Sequence, residues 1–273
     1  MVNSWIRLCF AGVIGLAACG PTDRVQPQRS QVGVALSAAE RQKIGRKIWQ
    51  NECAGTVAGL TTWNEGEEFP SLGIGHFIWY PAGFDGPYEE SWPRFVPFAR
   101  QRGYRLPNVA RRRHAPWPNR ATFQAAFHQP DMIALRRWLA DHVAVQTDFI
   151  IARSQAALPR MLAVAPNGAR ERIRRNYQKV ASSPNGMYAL IDYVNFKGEG
   201  IKPSERYRGE GWGLLQVLEN MRDVSAGQPA AVEFSATAKR MLDRRLANAP
   251  PDRGESRWRT GWHRRCETYA VPL

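Results

Sequence analysis

The chain has 273 residues, a length that suits one large domain or two packed lobes. A hydrophobic fraction of 44%, with ten Trp and eleven Phe, excludes a wholly disordered chain and can fill a sizeable core. The formal charge of +14, from 38 Lys+Arg against 24 Asp+Glu, draws polyanions without choosing among nucleic acid, anionic lipid and acidic envelope polymers.

The first element is a leader. Arg7 precedes the apolar run Leu8 to Ala18, too short for a membrane-spanning helix. The run closes on Leu16-Ala17-Ala18-Cys19-Gly20, which resembles the lipobox of bacterial lipoproteins. That resemblance implies a lipid on Cys19, which becomes the N-terminus, so that acyl chains hold the protein at a membrane. It places the protein in the cell envelope facing the periplasm, and Gly20 in place of Asp points to the outer membrane. Export argues against a nucleic-acid partner and leaves anionic envelope polymers as the match for the charge. Residues 1–19 are thus read as signal, and 20–36, polar and aperiodic, as a flexible tether.

The folded part is expected over 37–273. Ser37-Ala38-Ala39-Glu40 has the form of a capping box, with Ile44, Ile48 and Trp49 at helical spacing behind it. A helix is predicted from about Ala38 to about Glu52, with Glu52 one turn beyond Ile48 and close to the buried face. From Gly59 to Trp79 turn residues and the run Leu72-Gly73-Ile74-Gly75-His76-Phe77-Ile78 predict a β-hairpin. Between Pro81 and Pro130 eight prolines fall among aromatics and the run Arg111-Arg112-Arg113, predicting an ordered but irregular excursion with short helices at most. Helical periodicity returns at 132–142, 143–158, 169–180, 187–196, 213–222 and 235–246. Arg111-Arg112-Arg113 reads as a solvated face.

A carboxylic acid at a helix end beside apolar side chains should be held un-ionised by desolvation, able to give a proton to a leaving group. Glu52 is that acid. The nearby segment offers further carboxylates at Glu65, Glu67 and Glu68 and a hydroxyl at Ser71. A neutral acid, an ionised carboxylate and a water-holding group are the parts of glycoside hydrolysis. Gly73 and Gly75 leave room for a bulky sugar near the backbone.

Glu52 followed by Trp63-Asn64-Glu65 and Ser71-Leu72-Gly73-Ile74-Gly75-His76 resembles the phage-type lysozymes and endolysins. Two later segments fit in order: Ala189 to Gly198, and Pro251-Asp252-Arg253 followed by Arg259-Thr260-Gly261-Trp262. The resemblance implies an α+β, lysozyme-like fold, mainly helical, with a small β-hairpin lobe, a larger helical lobe and a cleft between them. It assigns Glu52 as general acid, Glu65 to the catalytic Asp position and Ser71 to the Thr that orients water. Supporting roles fall to Gly73, Gly75, His76, Asn195 and Arg253, with His76 tying the hairpin down and Arg253 bracing Glu52. The implied reaction is cleavage of the β-1,4 bond between N-acetylmuramic acid and N-acetylglucosamine in peptidoglycan, with no cofactor and no metal. Cys53 and Cys266 remain once Cys9 leaves with the leader and Cys19 carries lipid. In an oxidising compartment a disulfide is their expected state, two separately buried thiols being the alternative. The family fold would bring the two together.

The resemblance covers the ends of 37–273 and little of the middle. Glu stands for Asp at 65, Ser for Thr at 71, and the 80–130 segment is largely additional. These departures keep two other outcomes in play: a lytic transglycosylase using one acid, and a peptidoglycan-binding lipoprotein that does not cut.

Overall fold

A computed structural model describes residues 35–86 and 88–273. The leader, the lipid site at Cys19 and the tether through residue 34 lie outside the described residues.

Helix α1 (Ala38–Cys53) begins where the capping box predicts. Glu40 N–H donates to Ser37 Oγ at 3.2 Å, and Ser37 N–H donates to Glu40 Oε2 at 2.7 Å, so two orphan donors of the first turn are satisfied. The helix stops at Ala54 and Gly55, both in the left-handed region. In place of a hairpin the next segment forms a three-stranded antiparallel sheet of two-residue strands, β1 (Thr61–Thr62), β2 (Ser71–Leu72) and β3 (Phe77–Ile78), in the order β1-β2-β3. Its register pairs Thr62 with Ser71 and Ser71 with Ile78.

The proline-rich segment is ordered, as expected, and its regular structure includes two short helices. It carries α2 (Trp92–Gln101), with Pro93 in the first turn, where the missing N–H is no loss, and α3 (Arg120–Ala125). Phe95 stacks on Phe77 at 4.9 Å, and Ile78 N–H donates to Ser91 Oγ at 2.9 Å, fastening α2 over the sheet. The insertion therefore packs as part of the sheet's own core.

The remaining helices are α4 (Pro130–Asp141), α5 (Val143–Gln155), α6 (Ala157–Val164), α7 (Asn167–Ala181), α8 (Pro184–Lys197), α9 (Leu214–Asn220), α10 (Gln228–Asn248) and α11 (Arg259–Glu267). A two-strand ribbon, β4 (Arg206–Tyr207) and β5 (Glu210–Gly211), precedes α9. The architecture is mainly helical with small antiparallel sheets. Helix α8 lies among α1, α5, α7 and α10, and every residue from Asn185 to Tyr193 is buried. Gln146 of α5 ties sheet to helices: Ile74 N–H donates to its Oε1 at 3.0 Å, and its Nε2 donates to the Leu139 carbonyl at 2.6 Å. Among the described residues no helix is long and apolar enough to cross a membrane.

Candidate functional site

Four chain-distant elements converge on Glu52. The last turn of α1 carries it, the turn after β2 supplies His76, α8 supplies Asp192 and Asn195, and α11 supplies Arg265. Asn195 Nδ2 donates to Glu52 Oε1 at 3.0 Å, and an Arg265 Nη donates to the same oxygen. His76 Nδ1 stands 3.6 Å from Glu52 Oε2, too far for a hydrogen bond. The Glu52 side chain is 13% exposed, so it sits neither in bulk solvent nor sealed away. Its surroundings differ from the expected apolar shell, because the groups facing the carboxylate are an amide, a guanidinium and an imidazole.

Arg265 is itself held by a fully buried carboxylate. Its Nε and Nη donate to the two oxygens of Asp192 at 2.8 and 2.9 Å. Tyr269 donates to Asp192 Oδ2 at 2.6 Å, and Asn51 Nδ2 to Oδ1 at 3.2 Å. Burial alone would lower the Arg265 guanidinium, but the charges of Asp192 and then Glu52 carry it well above its usual range. Burial, reinforced by Asp192, likewise holds the Tyr269 phenol far above its ordinary value, so it remains a donor. The Glu52 end of α1 is thus pinned through a charged network rather than through apolar packing.

His76 sits at φ +46, a left-handed conformation that costs a non-glycine residue about 1–2 kcal/mol. That backbone turn aims Nδ1 at Glu52 while Nε2 is buried with no hydrogen-bond partner among the described residues. Lys197, two residues beyond Asn195, puts its amine over the Trp262 ring at 3.4 Å and the Phe196 ring at 4.1 Å. Burial, with Arg245 and Arg265 adding repulsion, pushes that amine down to about 6.

The other expected site residues are not among the hydrogen-bond partners of Glu52 in the described residues. Glu65 is exposed on the turn after β1, and Ser71 is buried in β2 at 4% exposure. Among the described residues neither shares a hydrogen bond with Glu52. Gly73, at φ +67, and Gly75 do not open space for a sugar. A Cβ on Gly73 would lie 2.3 Å from Gln146 Oε1, and one on Gly75 would lie 2.6 Å from the Phe77 ring, so both glycines serve close internal packing. Arg253 does not brace Glu52: it stands 3.8 Å from Glu255 in the turn before α11, and Arg265 occupies the expected place.

The disulfide expectation is also corrected. Cys53 and Cys266 are separate buried free thiols. Cys53 faces the Gly73 carbonyl at 3.5 Å beneath the sheet, whereas Cys266 lies in α11 against α10, where Ser235 donates to its carbonyl. Burial pushes both thiols up to about 12, with Glu52 adding to the effect on Cys53 and Asp192 to that on Cys266.

Sequence reasoning missed Asp192, Arg265 and Tyr269. A lone Asp in the apolar run Ala189-Leu190-Ile191-Asp192-Tyr193-Val194 was a usable signal, since a buried carboxylate needs a cation. Arg265 offered none among so many arginines. Among the described residues no cluster of three His, Cys, Asp or Glu is placed to hold a metal.

A cavity of about 630 Å³ lies beyond β1, walled by α3 and floored by Trp63, Phe123 and Phe127. Its lining includes Gly59, where a Cβ would lie 2.7 Å from the carbonyl oxygen of Cys53, the neighbour of Glu52. In comparisons with protein-family models, curated proteins and solved structures, nothing matches the chain.

Proposed function

We propose that the domain is a lysozyme-like glycosidase that cuts the β-1,4 bond between N-acetylmuramic acid and N-acetylglucosamine of peptidoglycan, with Glu52 as general acid. On this reading it is a lipoprotein held by Cys19 and facing the periplasm, its basic surface meeting anionic envelope polymers. The observation that carries the reading is the unequal use of the two Glu52 oxygens. Oε1 accepts from Asn195 and Arg265, while Oε2 has no hydrogen-bond donor among the described residues. Other buried carboxylates are saturated. Asp192 takes four hydrogen bonds, and both oxygens of Glu255 are bound by Arg245 at 2.7 Å. A carboxyl fixed by one oxygen and open at the other suits proton delivery to a glycosidic oxygen. The ordered sequence segments and the small sheet beside a large helical body also support the reading.

Ser71 is buried at 4% exposure, and a hydroxyl with so little access to water supports a second, single-acid route, lytic transglycosylation, in which no water is held. There, Glu52 gives its proton to the glycosidic oxygen as the C1–O4 bond breaks, and the muramic 6-hydroxyl then attacks the anomeric carbon and returns its proton to the Glu52 carboxylate, so that a 1,6-anhydro end forms in place of a reducing end. Digestion of purified peptidoglycan, with products read by mass spectrometry, tests both. The wild-type protein releases muropeptides and Glu52→Gln releases none; anhydro ends select the second route. Equal release by both proteins removes Glu52 from the chemistry.

A further inference from the structure

The cavity beyond β1 contains none of the groups that meet Glu52, and it is shared between residues 58–65, which include the resemblance-bearing Trp63-Asn64-Glu65, and five residues of the 120–128 stretch that the resemblance does not cover. We propose that it is a binding site for a short zwitterionic peptide, with the peptide amine at Glu65 and the carboxylate at Arg120. Under the function proposed above the occupant is a stem peptide freed from the glycan, because a stem still joined to muramic acid has its N-terminal amine acylated by the lactyl group. The stem identity rests on that function, whereas the binding itself does not.

Three observations lead to a peptide. The first is charge. Glu65 is exposed at the cavity and has no ion pair or hydrogen bond among the described residues. Arg120 is held by Nε, which donates to the Trp63 carbonyl at 3.0 Å, and its two terminal nitrogens have no partner among the described residues. Opposite charges in one cavity that do not pair with each other complement a ligand carrying both signs.

The second is the floor. Trp63 is 5% exposed and Phe123 2%, their rings tilted against each other at 5.8 Å, and the Arg136 guanidinium covers Phe127 at 3.8 Å. Trp63 and Phe123 offer no open face on which a sugar stacks, and Arg136 takes one face of Phe127, while small apolar side chains fit such a floor. The third is backbone. The sheet order makes β1 an edge strand, and Thr61, Thr62 and Trp63 all line the cavity. An extended peptide can meet that edge as an added strand, which a sugar cannot. Arg136 stiffens this wall, its Nε donating to Thr61 Oγ1 at 2.9 Å. A volume near 630 Å³ lies inside the usual range for ligand sites.

Titration calorimetry on the full chain with trialanine, N-acetyl-trialanine, trialanine amide and tri-N-acetylchitotriose tests the proposal. Trialanine binds saturably, and blocking either end weakens binding roughly tenfold, the value of one charge-assisted hydrogen bond. Glu65→Gln erases the difference between free and acetylated amine. Arg120→Gln erases that between carboxylate and amide; should its lost anchor on Trp63 unfold the protein, the blocked peptides and exposed Glu65 still decide. Absence of trialanine binding overturns the proposal, as does equal binding of blocked and free peptides, or chitotriose binding that Glu65→Gln weakens. Glu52→Gln binds trialanine like the wild type. Peptide binding by a protein that cuts no glycan therefore sinks the proposed function and leaves this site standing.

Discussion

Replacing Arg265 by Met should be among the most damaging single changes in the protein, because it strands Asp192. That carboxylate is 0% exposed, and two of its four hydrogen bonds come from Arg265. Without the guanidinium only Tyr269 and Asn51 remain, neither of which carries charge. Removing one partner of a buried ion pair costs about 3–5 kcal/mol. For a domain of this size each kcal/mol moves the melting temperature by roughly 2–4 °C, so the loss should be about 6–20 °C. Asp192→Asn in the Arg265→Met background removes the stranded charge and should recover about 1–3 kcal/mol relative to the sum of the single changes. Urea unfolding of the four proteins closes the cycle. An Arg265→Met protein within about 1 kcal/mol of wild type, or strictly additive changes, would mean that Arg265 does not hold Asp192 in place.

Lys197 gives a pH dependence. The folded amine loses its proton near pH 6 and the unfolded one near its ordinary value of 10.5, so between these limits the unfolded chain binds more protons and stability rises with pH. Lys197→Met removes that slope, at most ~1.4 kcal/mol per pH unit, and its melting advantage over wild type should be widest near pH 6 and fade toward pH 10; a constant gap refutes it. Cys53 and Cys266, with thiols pushed up to about 12, should resist iodoacetamide at pH 8 in the folded protein and react once urea unfolds it, as read by peptide mass spectrometry. Gly73→Ala combines a positive φ with displacement of Gln146 and should cost about 2–4 kcal/mol, whereas Gly66→Ala, at φ +79 with nothing within 4 Å, should cost only about 1; equal losses on unfolding would discard the packing argument.

Local signals carried the N-terminal helix and misjudged what followed. The Ser37–Glu40 box marks the start of α1, and the expected end at about Glu52 lies one residue from the observed Cys53. Two-residue strands are too short for a period of two to register, so a third strand went unseen. The bounds of α2 were not legible because prolines read as breakers, yet Pro93 sits in the first turn, where proline is tolerated, and the helix also carries Pro97 in its interior. Helix α11 buries only Trp262 and Cys266, one turn apart, and its charged residues drown that stripe. At the site, Glu52, His76 and Asn195 were legible because each belongs to a segment with its own pattern. Which arginine reaches Glu52 depends on how α11 docks, and that is a tertiary outcome. Cysteine counting fails for the same reason, since a compartment's redox state says nothing about where two helices place their thiols.

The shared guanidinium separates the chemistry of Glu52 from the stability of the fold. Arg265 and Asp192 form a buried pair of matched charge, complete without Glu52, and Glu52 receives one remaining donor from that pair. A neutral side chain at position 52 therefore leaves no buried charge uncompensated. In Glu52→Gln the amide oxygen can still accept from Asn195 and Arg265, so unfolding should change by no more than about 1 kcal/mol. Asp192→Asn, which leaves Arg265 without its buried counter-charge, should cost about 3–5 kcal/mol. A Glu52→Gln protein as unstable as Asp192→Asn would make Glu52 a structural anchor, and the loss of glycan cleavage in that variant would then report unfolding instead of a missing proton.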